Sequence, residues 1–101
     1  MEKVIRDGKV AVLYSPGFGA GWYSWHYIEE LVYDPNIVHW LETNEKEKIE
    51  AYVNVKFPDA YLGGLDDLTI QWLPQGTLFK INEYDGNESI ELKENEQWLI
   101  T

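Results

Sequence analysis

The 101-residue chain contains no cysteine. Disulfides, thiolate zinc sites and a cysteine nucleophile are therefore excluded. No apolar run approaches the roughly 18 residues of a membrane span. The opening MEKVIRDGKV lacks the apolar core of a secretory signal. These absences suit a cytoplasmic protein. Basic residues are scarce: eight Lys and Arg stand against eighteen Asp and Glu, for a net charge of −10. Contact with a phosphate backbone needs a basic face, so direct nucleic-acid binding is not expected. Acidity favours solubility. It also suits a nucleic-acid mimic or a protein that docks on a basic partner. Only two histidines occur, His26 and His39, at a spacing that matches no metal motif. No cofactor or metal is expected.

Aromatic residues are abundant: five Trp, seven Tyr and three Phe. A single domain of this length buries only about two thirds of its unfolded surface, so large core side chains matter. Rings bury much area and lose few rotamers. Such a composition argues against disorder.

The periodicity predicts an α+β domain spanning residues 1–101. Asp7-Gly8 is a preferred two-residue hairpin turn, which sets Ile5 opposite Val10. Ile5, Val10, Val12 and Tyr14 then share one face, and Val4, Ala11 and Leu13 the other. Both faces are largely apolar, which predicts cover on both sides. Helices are predicted at about 26–32, 35–43 and 45–56. Asp34-Pro35 is a strong start signal for the second, with Tyr33 and Val38 at staple positions. Asn44 and Glu47 resemble a capping box for the third. From Leu68 the period falls to two. Asp85-Gly86 then predicts a hairpin pairing Ile81 with Ile90 and Phe79 with Leu92. Trp98 and Ile100 suggest a last strand. In all, four to six strands in an antiparallel or mixed sheet should flank the helices.

The stretch SPGFGAGWYSWH carries the candidate site. Gly17, Gly19 and Gly21 follow a strand, where backbone N–H groups can cradle an anion. Neither the dinucleotide fingerprint nor the P-loop is satisfied. The alternative is a glycine turn that lets Phe18 and Trp22 enter the core. Trp22, Tyr23, Trp25 and Tyr27 could stack on a base, or pack in the core or an oligomer interface. Arg6, the only arginine, and Lys9 are candidate phosphate partners. Ser15 or Ser24 with His26 and Asp66 or Asp67 could compose a hydrolytic triad, but no nucleophile-elbow motif supports one. Asp66 and Asp67, after Gly63-Gly64, could hold a divalent cation or simply face water. The ligand set expected from the residues is Arg6, Lys9, Gly17, Phe18, Gly19, Gly21, Trp22, Trp25 and His26, with no catalytic residue.

VAVLYSPGFGAGWYSWH and the later GGLDDLTIQWLPQGTLFKINEYDG together resemble a family of short proteins encoded by tailed phages. The resemblance spans nearly the whole chain and brings no catalytic motif. It implies the host cytoplasm during infection as the setting, and interference with host defence as the role. A non-enzymatic homo-oligomer that sequesters a nucleotide-derived immune signal, cyclic or ADP-ribose-like, would use the glycine arm and rings. An acidic inhibitor or DNA mimic acting on a host protein would use the surface charge instead.

Overall fold

The computed structural model describes residues 1–17, 21–93, 99 and 100. It is α+β, and the described residues hold six strands, three helices and one short 3₁₀ turn. In chain order these are β1 (Ile5–Arg6), β2 (Lys9–Tyr14), α1 (Glu30–Tyr33), α2 (Pro35–Glu42) and α3 (Lys46–Lys56). The 3₁₀ turn Leu65–Asp67 follows, then β3 (Thr69–Pro74), β4 (Leu78–Tyr84), β5 (Asn87–Lys93) and β6 (Leu99–Ile100). Every strand pair is antiparallel, but the strands divide into two sheets, ordered β1-β2-β3 and β5-β4-β6.

Both Asp-Gly turns form as their chemistry dictates. Asp7 and Gly8 have φ of 52° and 75°, and Asp85 and Gly86 have 55° and 83°. Positive φ at both central positions is the twist that a two-residue hairpin needs. The turns fix the registers, Ile5 with Val10 in one hairpin and Ile81 with Ile90 and Phe79 with Leu92 in the other.

β2 explains the division into two sheets. Its residues Val10 to Leu13 are fully buried, so each face meets a different layer. Ala11 and Leu13 pack with Leu31, Ile37, Val38, Ile49, Val53 and Phe57 on the helical side. Val10 and Val12 pack with Tyr33, Leu73 and Phe79, and Ile81 and Ile90 lean on the same cluster. A single sheet could not cover a strand that is apolar on both faces, and the second sheet supplies the missing layer.

The helices begin where capping chemistry allows. The buried Asp34 carboxylate accepts from Asn36 N and Ile37 N and caps α2, with Pro35 at its first position. Its other oxygen accepts the Tyr52 hydroxyl at 2.7 Å, tying α3 to the same cap. Tyr33 and Val38 are both buried but belong to opposite clusters, so they form no staple. Asn44 does not cap α3: it has φ 59° and ends α2, and Glu45 precedes α3 without a side-chain cap. Asn is one of the few residues that accept the left-handed end position of a helix. The helix expected at 26–32 shortens to α1, because Tyr27 at φ 54° interrupts it.

Candidate functional site

The glycine arm follows β2, and an anion does sit on the N–H groups beyond it. That anion belongs to the protein. Glu88 of β5 is 1% exposed. One carboxylate oxygen accepts from the backbone N–H groups of Trp22, Tyr23 and Ser24, each at 2.8 Å, and from the Ser24 hydroxyl at 2.7 Å. The other oxygen accepts from Ser15 N at 2.9 Å, while Glu88 N donates to Ser15 O. Successive N–H groups aimed at one point form a nest for negative charge. Five donors of this kind compensate the burial of an acceptor-only group.

The neighbouring glycines make this geometry possible. Gly21 has φ 109°, a conformation rarely open to L side chains. At Gly64, an added Cβ would collide with the Gly21 carbonyl and crowd Ser15 Oγ. Ser15 Oγ donates to the Gly64 carbonyl at 2.8 Å, closing the same junction. Gly17 offers no open cradle either, because an added Cβ would meet the Asp67 carboxylate. Phe18 and Gly19 lie outside the described residues.

The aromatic cluster separates into wall and surface. Trp22 is 0% exposed and donates Nε1–H to the Leu31 carbonyl at 2.7 Å. It builds the core and cannot stack on a ligand. Trp25, three residues on, is 54% exposed. The segment is a series of turns rather than a helix, so the two indoles do not share a side. Trp25 meets Tyr61, itself 52% exposed, edge-to-face at 5.8 Å. With Glu83, Asp85 and Gly86 of the β4–β5 turn, these rings line a concavity of about 560 Å³. Glu83 accepts from Gly86 N with one oxygen.

His26 follows Trp25 in the chain and is not among the described residues that line that concavity. Its Nδ1 accepts from Ile28 N at 3.4 Å, and its buried Nε2 has no partner among the described residues. Burial pushes its pKa below the ordinary value, and the nearby Glu88 carboxylate opposes that shift. Neither candidate serine pairs with it: Ser15 donates to Gly64 and Ser24 to Glu88. Asp66 and Asp67 sit exposed in the 3₁₀ turn.

Arg6 and Lys9 do not reach the arm. They stand at the opposite end of β2, about 20 Å away along a six-residue strand. There Arg6 donates bidentately to Glu42 at 2.6 and 2.8 Å and lies 5.1 Å from the Trp72 ring centroid. That pairing holds the Glu42 carboxyl below its usual range. Lys9, Asp7, Glu42 and Trp72 line a second concavity with it, of about 370 Å³.

Among the described residues expected to form one ligand site, only Trp25 lines the surface concavity. Tyr61, Glu83, Asp85 and Glu88 were missed. Glu88 had a legible signal: in NESIELK it shares strand parity with Ile90 and Leu92, so it points to the apolar side. Comparison with known proteins finds no matching family model, no matching curated protein and no matching solved structure.

Proposed function

We propose that this is a non-enzymatic binding protein whose Trp25–Tyr61 surface docks on a basic segment of another protein. One observation carries the reading. Two half-exposed rings stand beside the Glu83 and Asp85 side chains in a single concavity. Rings attract cations through their faces, and carboxylates attract them directly. The net charge of −10 extends the same preference to long range. With a phage setting, as the sequence resemblance implies, the partner would be a basic host defence protein in the host cytoplasm.

Sequestration of a nucleotide-derived signal is the second reading, and Trp25 favours it, since an exposed indole stacks on a base. The flanking carboxylates disfavour the phosphates of such a ligand. The N–H groups just beyond the arm, those of Trp22, Tyr23 and Ser24, already hold Glu88 and are closed to a phosphate.

Calorimetric titration with a mixed Lys/Arg hexapeptide and, separately, with a cyclic dinucleotide separates the two. Peptide binding that Trp25→Ala weakens by about 2- to 30-fold at an unchanged melting temperature is the expected result. Dinucleotide binding without peptide binding would overturn the proposal in favour of sequestration.

A further inference from the structure

The chain holds its own arginine with a particular pair of groups. Arg6 lies over the Trp72 ring at 5.1 Å while both of its terminal nitrogens donate to the Glu42 carboxylate. An indole face with a carboxylate beside it is thus a guanidinium site within this protein. The same pair recurs at the other end of β2, where Trp25 and Tyr61 stand with Glu83 and Asp85, and among the described residues no lysine or arginine lines that concavity.

We infer that the Trp25–Tyr61 concavity is an arginine-recognition site, which takes the guanidinium of a partner protein. This rests on the proposed function and narrows its partner. Guanidinium is planar and more weakly hydrated than ammonium, and it stacks on aromatic faces while donating in a fork. The concavity is open and half-wet, so a strongly hydrated lysine ammonium gains less there. Glu83 keeps one oxygen for an incoming donor after accepting Gly86 N, and the Asp85 side chain lines the same hollow. A second copy of this chain is a poor occupant. Its sole arginine is Arg6, already committed to Glu42 and Trp72. The partner is therefore a different protein, and it presents an exposed arginine.

The test uses the whole protein with hexa-arginine and hexa-lysine peptides, matched in charge and length, in calorimetric titration. Hexa-arginine should bind at least about fivefold tighter. Trp25→Ala should weaken hexa-arginine by about 2- to 30-fold and erase the difference between the peptides. Asp85→Asn is the second variant, since Asn tolerates the positive φ of that turn position. It should reduce the preference for arginine at an unchanged melting temperature, whatever becomes of Trp25→Ala. Equal binding of both peptides that still depends on Trp25 would overturn the arginine assignment and leave the proposed function standing. Binding of neither peptide would overturn both. An arginine preference that survives Trp25→Ala and Asp85→Asn would place recognition elsewhere and overturn the inference.

Discussion

Removing the Glu88 carboxylate would strand four backbone N–H groups and one hydroxyl inside the protein. Orphaned buried donors are costly, and breaking a buried charged network typically costs about 3–5 kcal/mol. Glu88→Ala should lose about that much in urea denaturation, a large share of a small domain's stability. Glu88→Gln should fall between, because its amide nitrogen faces donors. Formate can refill the nest, so it should raise the melting temperature of Glu88→Ala and not that of the wild type. His26 gives a second prediction. Its folded pKa is lowered, so the unfolded chain binds the proton first as pH falls. Its contribution is fully present above about pH 6.5 and declines as pH drops through the window between the unfolded and folded values. His26→Gln should lose less melting temperature between pH 7 and pH 5 than the wild type does.

Among the elements, α2 hangs on one side chain. Asp34 caps it and also accepts the Tyr52 hydroxyl, so Asp34→Ala removes the cap and orphans a hydroxyl on α3. A loss of about 1–2 kcal/mol is expected from the cap alone, measured by thermal or urea unfolding. Tyr52→Phe should cost less, since the cap survives. This start was legible because Asp-Pro has one dominant local meaning. The Asp-Gly hairpins were legible for the same reason, and their registers followed from turn length. Asn44 was not, since the same side chain serves a helix start and a left-handed helix end. Which sheet each strand joined was not legible either, because β2 pairs with β3 across more than fifty intervening residues. The anion nest lies on Ser15, Trp22, Tyr23 and Ser24, beside the arm rather than on the Gly17, Gly19 and Gly21 N–H groups the sequence suggested. Its occupant was not legible, since Glu88 is one of eighteen acidic residues and lies 64 to 73 positions from its donors.

Seen whole, the molecule carries a net charge of −10, so with the basic partner proposed above salt should act on encounter more than on the bound state. The association rate with a basic protein partner should fall steeply with added salt, while the dissociation rate from the Trp25 surface should change little, as stopped-flow fluorescence would measure. The expectation of a homo-oligomer has β5 to rest on, an edge strand with Leu92 exposed. Light scattering at micromolar concentration should read a dimer if that edge pairs, and a monomer would remove the expectation. The Glu88 nest also imposes an order in time. Its donors are made early in synthesis and its acceptor late, so Trp22, Tyr23 and Ser24 cannot settle until the C-terminal hairpin docks. Contacts between such distant positions form late when loop closure is costly. Glu88 variants should therefore speed unfolding while leaving the folding rate nearly unchanged. Trp25 follows directly on the donors Trp22 to Ser24, so a chain released before residue 88 would lack the anchor of the segment that carries the proposed docking ring.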